Sequence, residues 1–112
     1  MAKQLEAQFK KRFIDRFKNR MDELEIPLEV EQQKSNRRSW LDTIFLGPCV
    51  WAMLEFKKDE DANHQPNQDY YVDKLNRMCY AAFVSPENEE MVFNEMEELF
   101  KLGRNACVLK SE

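Results

Sequence analysis

The 112 residues fall in the size range of a single domain. With 43% hydrophobic and 12% aromatic residues the chain can build a core without staples, while two glycines and four prolines exclude collagen-like and low-complexity classes. Charged residues make up 34%, and the net charge of −4 is opposite to the basic footprint usual in nucleic-acid-binding proteins.

Leu5, Phe9, Phe13, Ile14 and Phe17 recur at helical spacing with Lys and Arg between them, which predicts an amphipathic helix over about residues 2–24, ending before Pro27. Leu28–Gln33 reads as a short strand, followed by a polar turn at residues 34–38. Trp40–Leu46 and Cys49–Phe56 read as two strands, and Gly47-Pro48 between them predicts a hairpin. Lys58–Asn67 lacks any hydrophobic period and reads as a loop. Pro66 suits the first turn of a helix running to about Met78, and Tyr80–Val84 reads as a strand. Ser85-Pro86-Glu87 supplies a cap, a first-turn proline and an acid for a last helix, with Met91, Val92, Met96, Leu99 and Phe100 inward and Gly103 at its end. A final short strand over Ala106–Leu109 is expected. The order αβββαβα describes one α/β domain over residues 1–112, a small mixed sheet flanked by helices.

No apolar run is long enough to span a membrane, and the charged N-terminus lacks the apolar stretch of a signal peptide. Cys49, Cys79 and Cys107 are about thirty residues apart with no CxxC pair, and the lone His64 does not complete a zinc set. Three reduced thiols in a cytoplasmic protein that is not secreted are expected. Charge is segregated: residues 1–58 hold 12 Lys/Arg and 9 Asp/Glu, residues 59–112 hold 5 and 12.

The chemistry-bearing segment runs from Asp42 to Gln68. Side chains two apart on a strand share a face, so Glu55 and Lys57 project together while Phe56 points into the core. The hairpin brings Asp42 alongside that strand end, so two carboxylates and one ammonium are expected at one sheet edge. Such a set repels itself unless a cation is bound, and Mg²⁺ favours one or two carboxylates with waters and phosphate oxygens. It suits hydrolysis of a phosphodiester, with Lys57 orienting the attacking water or offsetting charge on the phosphorane.

Asp42, followed after twelve residues by Glu55-x-Lys57, resembles the PD-(D/E)xK nuclease motif. Within that superfamily the chain looks like the virus-type replication-repair nuclease (VRR-NUC) domains, through its small size, Pro66-x-Gln68 at the next helix start, and Ala82-Phe83-Val84 ahead of an acidic helix. Leu41 replaces the proline usual before the aspartate, and Met78-Cys79-Tyr80 lacks the glycine often found there. The resemblance spans about residues 5–100 and implies a restriction-endonuclease-like fold. It assigns metal binding to Asp42, Glu55 and the Phe56 carbonyl, with Lys57 as the catalytic lysine. Gln68 would lie near the active site or contact the phosphate backbone, and Glu6 on the first helix would support the metal or a water. It further implies Mg²⁺, with Mn²⁺ able to substitute, no small-molecule cofactor, cleavage of junction, flap or other branched DNA in replication, recombination or repair, and a homodimer. The single-domain form points to a phage or mobile-element protein, which would place it in the host cytoplasm.

Lys10, Lys11, Arg37 and Arg38 are candidate contacts to DNA phosphates, and the acidic last helix would repel a duplex. Two other readings remain open: a catalytically inactive nuclease-fold module that binds DNA or protein, and a small acidic interaction protein in which the motif is coincidental.

Overall fold

The computed structural model describes residues 2–33, 41–64 and 67–110. Three helices and four strands follow the order α1 (Ala2–Glu23), β1 (Glu29–Gln32), β2 (Thr43–Gly47), β3 (Val50–Phe56), α2 (Gln68–Met78), β4 (Tyr80–Val84) and α3 (Glu89–Lys110). The sheet order is β1-β2-β3-β4, antiparallel for the first two pairings and parallel for β3 with β4. The α2 crossover supplies the connection a parallel pair needs. Among the described residues, no helix is long and apolar enough to cross a membrane.

The stripe Phe9, Phe13 and Phe17 is fully inside. Phe13 alone meets Phe9, Phe45, Phe56 and Phe93 edge-on, with ring centroids 5.5–6.4 Å apart. Such edge-to-face pairs add about 0.5–1.5 kcal/mol each beyond area burial. Helices α1 and α3 therefore cover one face of the sheet side by side. The pairings Arg16–Glu90, Arg20–Glu97 and Arg104 to the Leu24 carbonyl advance together along α1 and α3, so the helices run parallel. The other face carries a smaller cluster of Leu41, Met53 and Ala81 with Ile44, Trp51, Val72 and Leu75, covered by α2.

Helix α3 departs most from expectation. Asn88, not Ser85, precedes its first turn: the Asn88 carbonyl accepts from the Val92 N–H, and its side chain accepts from the Ser85 N–H and donates to the Phe83 carbonyl. Its inward phase is Val92, Phe93, Met96 and Phe100, while Met91 is exposed. Gly103 does not end the helix, and Ala106–Leu109 is helical rather than a strand. Gly103 is needed for closeness instead, because a Cβ there would collide with the Pro48 carbonyl oxygen and with the Val50 methyls at 2.7 and 2.8 Å. Gly47 has the same role, since a Cβ there would lie 2.6 Å from the Phe100 ring. Both glycines let α3 lie on the β2–β3 hairpin.

That continuation corrects the expectation of three reduced thiols. One turn beyond Gly103, Cys107 reaches the hairpin loop and is joined to Cys49, with the Sγ atoms 2.03 Å apart. Cys79 is the free thiol, and its Sγ accepts from the Trp51 N–H at 3.4 Å. With this bond formed the cysteines do not point to a cytoplasmic location, because disulfides persist mainly in oxidising compartments.

Candidate active site

The β2–β3 ladder ends at the pair Thr43↔Leu54, so one step further Asp42 faces Glu55. Directly opposed residues of an antiparallel pair share a face. Here the Asp42 N–H donates to Glu55 Oε1 at 3.0 Å, and the Phe56 N–H donates to Asp42 Oδ2 at 3.3 Å. The carboxylates thus meet at the end of the two central strands, rather than at the lateral edge of the sheet. The Gln33 N–H donates to the Asp42 carbonyl at 2.8 Å and ties the end of β1 to the same place.

Strand alternation sends Phe56 into the main core and Lys57 back to the Glu55 face. The Lys57 N–H continues the parallel ladder by donating to the Val84 carbonyl at 2.8 Å. Its ammonium lies 4.0 Å from Glu55 Oε2 and donates to Gln68 Oε1 at 3.1 Å and to the Asn63 carbonyl at 3.2 Å. Gln68, the first residue of α2, also hydrogen-bonds Glu55 and so bridges acid and lysine. The side chains of Asp42, Glu55 and Lys57 are 18%, 15% and 12% exposed, a site recessed from bulk water but open to it.

A fifth side chain enters from the opposite side of the sheet. Phe9 packs on Phe56 at 5.7 Å, which carries α1 over the end of β3, and the next residue, Lys10, extends its ammonium to Asp42 Oδ1 at 2.7 Å. Thr43, fully buried, donates its hydroxyl to the same oxygen at 3.0 Å. Burial, followed by repulsion from Asp42, raises the Glu55 carboxyl above its ordinary pKa; the Asp42 amide, Lys57 and Gln68 oppose the rise without cancelling it.

No match to this chain is found among protein-family models, curated proteins or solved structures.

Whether the residues suit a divalent cation is decided by their chemistry. Among the described residues no group of three or more His, Cys, Asp or Glu side chains comes together as a metal site. Two carboxylates beside the Phe56 main chain remain, an all-oxygen set of the size Mg²⁺ commonly uses, with water filling the other positions. Burial and the facing Asp42 make the ionised form of Glu55 costly, a cost that a bound cation would relieve. The set fits a hard cation; a soft or zinc-type ion, which favours Cys and His, it does not.

The other expected positions divide. Glu6 lies on α1 one turn before Lys10, half-buried, and no hydrogen bond or ion pair joins it to the cluster among the described residues. Lys11 is exposed and pairs with Asp15 at 2.8 Å, away from the site. Arg37, Arg38 and Pro66 lie outside the described residues. Lys10, expected among the phosphate contacts, lies instead at Asp42; its position directly after Phe9, at the border of the apolar stripe, is the signal the sequence holds for this. His64 was also passed over as a site neighbour: its Nδ1 lies 2.8 Å from Asp69 Oδ1 and its ring stacks on Phe83 at 3.8 Å. With Lys57 it lines a cavity of about 210 Å³ rimmed by Asp59, Glu60 and Glu87, acids that make it unsuited to phosphate.

Proposed function

We propose that the chain is a Mg²⁺-dependent endodeoxyribonuclease of the PD-(D/E)xK superfamily, VRR-NUC type, acting on branched DNA. The observation that carries this reading is the convergence of Asp42, Glu55 and Lys57 with Gln68 at the end of the central strands. A small α/β domain with a four-stranded mixed sheet is compatible with that superfamily.

In this reading Asp42, Glu55 and the Phe56 carbonyl hold the ion. When bound, a divalent cation supplies Lewis acidity at the scissile phosphate and lowers the pKa of a water. Lys57, steadied by Gln68 and the Asn63 carbonyl, is placed to orient the attacking water and to offset charge that grows on the phosphorane. Gln68 holds Glu55 and Lys57 in register. A homodimer would present two such sites to a two-fold symmetric junction.

The test is cleavage of four-way junctions, flaps and linear duplex with Mg²⁺, Mn²⁺ or chelator, by wild type and Asp42→Asn. Metal-dependent cutting of branched substrates that Asp42→Asn abolishes supports the reading. One observation favours a second reading: Lys10 and Lys57 neutralise the two acids without any metal, as in a catalytically inactive module of the same fold. Salt-sensitive junction binding with no cleavage in either metal would select it.

A further inference from the structure

The acids and ammonium groups of the site balance. Asp42 and Glu55 carry two negative charges, Lys10 and Lys57 two positive ones, and all four side chains are no more than 24% exposed. Adding a divalent cation to a neutral, recessed cluster is unfavourable unless positive charge leaves it. The two lysines are not equally free to leave. Lys57 is anchored by two hydrogen bonds besides its 4.0 Å approach to Glu55. Among the described residues Lys10 has a single ion-pair partner, Asp42 Oδ1 at 2.7 Å, and that oxygen belongs to the carboxylate a cation must engage. Its backbone is fixed by Phe9 and Phe13 in the core, so only the flexible stem has to move.

We propose that Lys10 is the built-in counter-ion of this site, an internal cation that competes with the divalent metal for Asp42 and keeps the unloaded acids from repelling each other. The inference rests on the metal-site reading above and deepens it: metal loading and withdrawal of the Lys10 ammonium are one equilibrium. Lys10 is thus a positioning residue for Asp42, and its removal should trade stability of the metal-free protein for metal affinity.

The experiment is calorimetric titration of Mn²⁺ into the full chain as wild type, Lys10→Met, Lys10→Gln, Asp42→Asn and the Lys10→Met/Asp42→Asn double variant. Melting curves in chelator and in Mn²⁺ are recorded alongside. Both Lys10 variants are expected to bind Mn²⁺ roughly tenfold more tightly than wild type, since a half-buried ion pair no longer has to break. They are also expected to melt lower than wild type in chelator and to gain more from Mn²⁺. Asp42→Asn should remove binding in either background. Equal or weaker Mn²⁺ binding by a folded Lys10 variant, with the Asp42 dependence intact, overturns the role of Lys10 and leaves the metal site standing. Absence of any Asp42-dependent binding overturns both. Melting curves identify a misfolded variant, and Lys10→Gln, which keeps a polar stem, carries the comparison if Lys10→Met fails to fold.

Discussion

Glu55 has a partly buried carboxyl facing another carboxylate, with a raised pKa caused first by burial and then by Asp42. Between its ordinary pKa and its folded one, the native state binds more protons than the unfolded state, so stability falls as pH rises through that window. Above the window the full cost is present; below it there is none. In chelator, Glu55→Gln should therefore melt above wild type at pH 7, and the gap should close as pH is lowered through the ordinary carboxylate range. The amide oxygen of Gln can still accept from the Asp42 N–H, so the variant removes charge with little loss of hydrogen bonding. Differential scanning calorimetry at pH 7 and pH 4 checks this, and a gap that is constant or reversed contradicts it. Much at this scale was legible in the sequence, because strand alternation places Glu55 and Lys57 on one face whatever else the chain does. Lys10 was not, since its contact spans 32 residues and depends on how α1 lies over β3.

At the scale of elements, periodicity and turn residues located all four strands and the first two helices to within a few residues. They failed where a local signal had a tertiary cause. Gly103 resembles a helix stop because glycine commonly ends helices, yet here it permits α3 to touch the hairpin. Gly103→Ala tests the need for that close approach. Helix propensity alone would favour Ala by about 1 kcal/mol. Collision with the Pro48 carbonyl, a backbone atom with little freedom to yield, should instead cost about 1–3 kcal/mol, as other overpacking does. The expected net result is a lower melting temperature, by about 4–8 °C per kcal/mol lost for a domain near this size. A rise would show that a Cβ is accommodated at Gly103 and that the close approach of α3 to the hairpin does not require glycine. The disulfide was illegible for the same reason: Cys107 reaches Cys49 because α3 continues past Gly103, and a spacing of 58 residues says nothing about that path.

For the whole molecule, the segregation of basic and acidic halves is undone by folding. The acids of α3 lie against the bases of α1, with Arg16 on Glu90 at 2.6 Å and Arg20 on Glu97 at 2.8 Å. Arg16 also stacks on Phe93 at 3.9 Å, and Lys101 adds a second cation to Glu97 at 3.0 Å. The α1 face is therefore less cationic than its sequence, and DNA affinity should be modest. Glu90 is exposed and Glu97 only partly buried, so Glu90→Gln with Glu97→Gln should leave the fold intact while removing the nearest carboxylate from each guanidinium, Arg16 keeping Glu89 at 3.7 Å and Arg20 keeping Glu23 at 4.0 Å. If the duplex lies along α1, junction binding should tighten, and the slope of log K against log salt should steepen by about 1–2. Fluorescence anisotropy between 50 and 200 mM salt measures it. An unchanged slope would place the duplex on another surface.

If the Asp42–Glu55–Lys57 cluster hydrolyses phosphodiesters, removing Lys57 should stop the chemistry without emptying the site, because Lys57 is not assigned to hold the metal. The measurement is the single-turnover rate of junction cleavage in Mg²⁺ by wild type and Lys57→Ala, with Mn²⁺ affinity determined on the same samples. Lys57→Ala is expected to cut at least about 100-fold more slowly, in line with losing one preorganised charge-stabilising group, with metal affinity changed only slightly. Cleavage by Lys57→Ala at the wild-type rate would contradict it.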